Sequence, residues 1–217
     1  TQRTASCYAS FGMARAITTH AWTRASSTTS RDFRDPELTS LGVRQAEARR
    51  QRLHDEGHAF DTIIVSPLSR AIQACHLVFG SGSTPVRLCS LLTERCCSRA
   101  DVGTPKSELR ARRPECGEWD GWDELDEQWW LDRTLSQAEY WPLARVARLK
   151  QWLLSRPGRT LALVGHKGLM QCLTAGPDLP SGHRLGNCEA FWVRLHADGR
   201  VSPSEPPARQ PRDGDAS

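Results

Sequence analysis

Several features are scarce in this chain of 217 residues, and each scarcity narrows what it can be. No apolar run approaches the ~20 residues that a membrane-spanning helix needs, so no membrane partner is expected. Residues 1–13 lack a basic segment followed by a continuous apolar core, so no secretory signal is read there. Their Ser, Thr and Arg without acids give only a weak organellar signal, and a cytoplasmic location is expected. The eight cysteines show no CxxC or Cys/His metal spacing, and the adjacent Cys96 and Cys97 are badly placed to bridge each other. Reduced thiols are expected, most of them small buried hydrophobes, with no metal centre. Lysine is rare beside arginine, and the formal net charge of +4 is mild and spread along the chain. That balance fits coding bias better than a nucleic-acid face, so no nucleic-acid partner is expected.

What is present fits one α/β domain. The hydrophobic fraction of 38% is modest, but the length is enough to bury a core. Residues 1–13 read as a loosely ordered segment, 14–200 as the domain and 201–217, with its prolines and charges, as a disordered tail. Met13–Trp22 is a short, weakly patterned candidate strand, and residues 23–36 read as a surface loop. A helix is expected from Val43 to about Asp55, capped by Thr39 or Ser40 and stopped at Gly57. Ile63, Ile64 and Val65 read as a buried strand, and Leu68, Ile72, Cys75 and Val78 as a helical stripe, with Ser66 as N-cap and Pro67 at the first helical position.

Thr84–Leu88 predicts a short strand, and Leu91–Cys97 opens a loop-like segment that ends near Gly103. Residues 115–141 interleave acids with Trp119, Trp122, Trp129, Trp130 and Trp141, too aromatic for a solvated linker. They predict a lid that packs onto the domain. Ser136–Leu154 reads as an amphipathic helix with Leu143, Val146, Leu149, Trp152 and Leu153 on its stripe. Thr160–Val164 is the clearest buried strand, Gly165–Gly168 a turn, Leu169–Thr174 the start of a helix, and Glu189–Leu195 a last strand. Strands alternating with helices predict a three-layer sandwich, with a largely parallel central sheet and helices on both faces.

In such sheets ligands bind beyond the carboxyl ends of the strands, near helix N-termini. His20, Arg70 and His166 each follow a candidate strand there. Arg70 lies in a first helical turn, where free amides and the helix dipole favour an anion and a guanidinium adds a bidentate fork. Two histidines and an arginine on one edge suit an anion and proton or phosphoryl transfer. Each alone is as compatible with an ordinary structural role.

At this point the chain resembles a family. Ser66-Pro67-Leu68-x-Arg70-Ala71 resembles a phosphate-binding motif of the histidine phosphatase superfamily, the phosphoglycerate-mutase-like proteins. Asp35-Pro-x-Leu38-Thr39-x-Leu41-Gly42 is similar to the segment after that family's nucleophile. Leu163-Val164-Gly165-His166-Lys167-Gly168 is similar to its second histidine motif, and Asn187-Cys-Glu189 to its closing strand region. Trp129-Trp130, Arg145-Val-x-Arg148 and Trp152-Leu153 resemble one broad branch. The resemblance covers roughly residues 17–195.

It implies His20 as a nucleophile forming phosphohistidine, Glu94 as the acid–base group, and Arg70 and His166 on the phosphoryl oxygens. It implies no cofactor and no metal, and a small phosphorylated substrate as partner, with the oligomeric state left open. One position departs: the family writes Arg-His-Gly or Arg-His-Ala where this chain has Thr19-His20-Ala21. Thr19 stands in the place of a phosphate-gripping arginine, and Arg24 or Arg15 would have to reach in from elsewhere. Three readings follow: a phosphatase with reduced activity, a pseudophosphatase that binds a phosphorylated ligand, and a mutase-type phosphotransferase.

Overall fold

A computed structural model describes residues 12–18, 34–95, 98–130, 143–158, 160–175, 182 and 186–206, the first of these as backbone. Its centre is a six-stranded sheet in the order β3-β2-β4-β1-β5-β6. The strands are β1 (Gly12–Thr18), β2 (Thr62–Val65), β3 (Val86–Leu88), β4 (Thr160–Gly165), β5 (Ala190–Leu195) and β6 (Val201–Pro203). β1 to β4 run parallel, while β5 lies antiparallel to β1, and β6 to β5. The largely parallel α/β sandwich expected from the sequence is the fold observed.

Alternation along the inner strands divides the core. Ile64, Leu161 and Leu163 face one side, with Val146, Leu149, Leu169 and Met170 from helices α4 (Leu143–Leu154) and α5 (Lys167–Thr174). Ile63, Val65, Ala162 and Val164 face the other, against Ile72 and Cys75 of α2 (Ser69–Phe79) and Leu109 of α3 (Lys106–Arg112). Helix α1 (Ser40–Glu56) packs on α2 through Ala46, Leu53, Ala74 and Val78. β2 and β4 are buried on both faces and read as unbroken apolar runs, which is why they were evident in the sequence.

Some expectations need correction. The tail expected to be free from residue 201 begins instead with β6, and the Ser204 amide still donates to Trp192. Leu143, expected on the buried stripe of its helix, is 61% exposed at the helix start. Ser66 is not the cap of α2: that helix starts at Ser69, and the Ser69 amide donates to the Asp35 carboxylate at 2.8 Å. Thr39 does cap α1, accepting from Gly42 at 3.1 Å, and Gly57 ends it in the left-handed region at φ 65°. The segment 91–97, expected as loop, opens with a short 3-10 turn over Ser90–Leu92.

The tryptophan-rich stretch is bound to the sheet rather than standing over it, as far as residue 130. Asp120 exchanges backbone hydrogen bonds with Val86 and Leu88 of β3, covering that edge. Trp122 and Trp129 are buried in the α2-side core. Their indole N–H groups donate to the carbonyls of Cys116 and Thr104, both at 2.9 Å, so neither buried donor is wasted. Trp141 and the remainder of the expected lid lie outside the described residues.

Candidate functional site

Four parallel strands end on the same side of the sheet, and the chemistry-bearing residues follow those ends. His166 comes directly after β4, Ser66 and Arg70 after β2, and Glu94 after β3 and its 3-10 turn. Thr18, the last residue of β1, is in register with Gly165, the residue before His166. His20 follows two positions later; it, Thr19 and Arg24 lie outside the described residues. Arg15 lies inside β1, in register with Ala162 and Trp192, rather than at its carboxyl end.

His166 is fully buried, and its Nε2 lies 2.8 Å from the Ser66 hydroxyl oxygen. Ser66 is buried too, and its amide donates to Val164, so the ends of β2 and β4 are tied just where both side chains meet. The residue read as a helix cap is therefore a partner of the histidine. A serine closing a fully buried strand was the available clue, because a buried hydroxyl must find a partner.

Arg70 is only 2% exposed. One terminal nitrogen donates to the Ala100 carbonyl at 2.6 Å and the other to the Asp101 carboxylate at 2.9 Å. Its Nε has no hydrogen-bond partner among the described residues. The guanidinium is thus clamped through its outer nitrogens, with one buried donor left over. Asp101 is itself held by the Ser98 amide and hydroxyl, at 3.1 and 3.3 Å. The Ser98-x-x-Asp101 spacing is a capping-box signature that reading the segment as loop passed over.

Glu94 is half-buried, and its carboxylate sits on the first turn of α5. One oxygen accepts from the Gly168 amide at 3.0 Å, the other from Leu169 at 3.1 Å and from Arg95 at 2.9 Å. It therefore reaches across from the β3 side to the residues immediately following His166. The outcome is a set of three described residues, Arg70, Glu94 and His166, on one edge of the sheet. Chemically the edge holds a hydrogen-bonded imidazole, an oriented guanidinium and a carboxylate able to carry a proton. Among the described residues no cluster of His, Cys, Asp and Glu is fit to hold a metal.

Comparison with known proteins agrees with this architecture. The sequence profile of the histidine phosphatase superfamily (branch 1) matches residues 18–202. A 2,3-bisphosphoglycerate-dependent phosphoglycerate mutase from Methylobacterium radiotolerans is 37% identical over 87 residues, 37% of this chain. The match spans 39% of that relative's own length, and for its counterpart from Allorhizobium ampelinum 22%. A phosphoserine phosphatase mutant from Entamoeba histolytica, solved with phosphoserine, superposes with a TM-score of 0.56 at 18% identity, covering 92% of this chain and 98% of that one. A mycobacterial glucosyl-3-phosphoglycerate phosphatase gives 0.51 at 20% identity, covering 89% and 97%. At such identities the likeness is one of fold.

Proposed function

The chain belongs to the histidine phosphatase superfamily, and from that premise we propose that it hydrolyses a small phosphomonoester through a phosphohistidine on His20. A ring nitrogen of His20 attacks phosphorus in line, the phosphorus–oxygen ester bond breaks, and Glu94 gives its proton to the departing oxygen. Water then attacks the phosphohistidine, Glu94 takes back a proton, and the nitrogen–phosphorus bond breaks to release phosphate. Arg70 and His166 stabilise the charge spread over the phosphoryl oxygens. The observation that carries this reading is Glu94 resting on the amides of Gly168 and Leu169, two and three residues after His166.

Thr19 favours a second reading, a pseudophosphatase that retains the anion pocket. Losing one charged donor from such a site costs about 2.7–4 kcal/mol of transition-state stabilisation, or roughly 100- to 1,000-fold in rate. Trapping of phosphoenzyme in wild type, His20→Ala and Thr19→Arg proteins, without added metal, separates the two. Hydrolysis predicts an acid-labile phosphoenzyme that disappears in His20→Ala and increases in Thr19→Arg. Anion binding with no phosphoenzyme in the wild type favours the binder. A stable phosphoenzyme that passes its phosphoryl group to a second hydroxyl instead of water would mark a mutase.

A further inference from the structure

Glu94 follows a buried threonine on a connection between elements, yet its carboxylate is held at one place. The reason lies partly on another helix. Arg145, in the first turn of α4, reaches over so that its guanidinium donates to the Thr93 hydroxyl and, from both terminal nitrogens, to the Glu94 carbonyl at 3.3 and 3.2 Å. Thr93 in turn is buried and donates to the Ser90 carbonyl at 2.9 Å, closing the 3-10 turn that delivers the chain to Glu94. The backbone of Glu94 is therefore gripped by a planar fork from 51 residues away in sequence, a geometry that lysine cannot reproduce.

The carboxylate end has its own requirement. A Cβ on Gly168 would come within 2.5 Å of one Glu94 carboxylate oxygen and 2.4 Å of the Arg95 Nε. Only glycine leaves room for the carboxylate to reach the α5 amides. Arg145 fixes where Glu94 starts and Gly168 permits where it ends.

We infer that Arg145 is the positioning residue that sets the reach of Glu94, with Gly168 providing the clearance. Neither touches reacting atoms. This rests on Glu94 being the acid–base group. A misplaced proton donor slows departure of poor leaving groups more than good ones, because only the former need the proton.

The test compares an alkyl phosphate with p-nitrophenyl phosphate in the full chain. Glu94→Gln should lower kcat/KM, which reports the leaving-group step alone, by roughly 100-fold or more on the alkyl ester while sparing the aryl ester, as expected for a general acid. Arg145→Met should reproduce that selective loss in kcat/KM at about 10-fold or greater, with the loss on the alkyl ester carried by a lower kcat rather than a higher KM. Arg145→Lys should restore only part of it, and Gly168→Ala should give the same selective loss with Arg145 intact.

Amide hydrogen exchange at Gly168 and Leu169 gives a readout independent of turnover. Exchange should quicken in Glu94→Ala, and likewise in Arg145→Met. Unchanged exchange in a folded Arg145→Met protein, or equal losses on both esters while Glu94→Gln stays selective, overturns the role of Arg145. If Glu94→Gln itself lacks the leaving-group signature, Glu94 is not the acid–base group, and the exchange data still decide whether Arg145 holds it. Should Arg145→Met fail to fold, Arg145→Lys and Gly168→Ala carry the same comparison, and wild-type behaviour in both overturns the inference.

Discussion

A guanidinium buried as deeply as that of Arg70 needs a counter-charge, and Asp101 supplies it. Removing the acid leaves a buried charge uncompensated, so Asp101→Ala should destabilise the fold by about 3–5 kcal/mol, measurable by urea unfolding. Asp101→Asn keeps an acceptor for the arginine and should lose markedly less. Arg70→Ala should abolish binding of phosphate and vanadate, followed by calorimetry, whether the protein turns over its ligand or only holds it; retained binding would remove Arg70 from the pocket. At this scale the sequence marked residues that the fold brings to one edge of the sheet, but not their keepers. Arg70, Glu94 and His166 were singled out for their own chemistry, whereas Ser66 and Arg145, though inside matched segments, and Asp101 act through partners 100, 51 and 31 residues away. Such partnerships are set by the fold and leave no local spacing to read.

Among the elements, α2 shows how a distant residue can do the work of a local cap. Asp35 is buried and accepts from the amide and hydroxyl of Ser69, at 2.8 Å each, and from the amide and hydroxyl of Thr104, at 3.2 and 2.8 Å. It holds the start of the helix that carries Arg70, and beside it Arg34 donates to the Gly103 carbonyl and lies over the Trp130 ring. Asp35→Ala should cost about 1–3 kcal/mol, since it strips a helix cap and leaves buried donors unpaired, and thermal unfolding would register it. The cap of α1 was legible because the Thr39 hydroxyl accepts from an amide only three residues on, that of Gly42. That of α2 was not, because Asp35 is 34 residues upstream of Ser69 and Ser66 stood closer.

Across the whole molecule, the core is legible where strands are apolar throughout and obscure where they are not. β1, Gly-Met-Ala-Arg-Ala-Ile-Thr, carries an arginine and two alanines, yet it lies inside the sheet between β4 and β5. Its place follows from pairing on both sides rather than from its own pattern. The cysteines belong to this scale as well. Cys75, Cys89, Cys116, Cys172 and Cys188 are buried as thiols. Burial pushes the Cys89 thiol up to about 11 and the Cys116 thiol to about 12, and raises that of Cys75 further. These folded-state values lie above the ordinary 9.0 of an exposed thiol, so the folded state keeps protons that the unfolded chain releases. The stability they contribute is complete below 9.0 and declines as pH rises toward the folded values. Native protein should leave these thiols unreacted with an alkylating reagent, and labelling should appear together with alkaline unfolding, both readable by mass spectrometry.

The seating of β1 also governs the order in which the protein can be made. The strand that leads to His20 precedes every other described element in sequence, but its two sheet partners are residues 160–165 and 190–195. Until those emerge from the ribosome, β1 has neither neighbour, and closing so long a loop comes before any reward in hydrogen bonds. The edge that carries the candidate site can therefore be completed only once β4 and β5 are made, with β1 seated between them. Nascent chains stalled before β4 has emerged should leave β1 open to proteases and chaperones while β2 and β3 are already paired. Release of the last strands should then close the sheet and bring its protection in a single step.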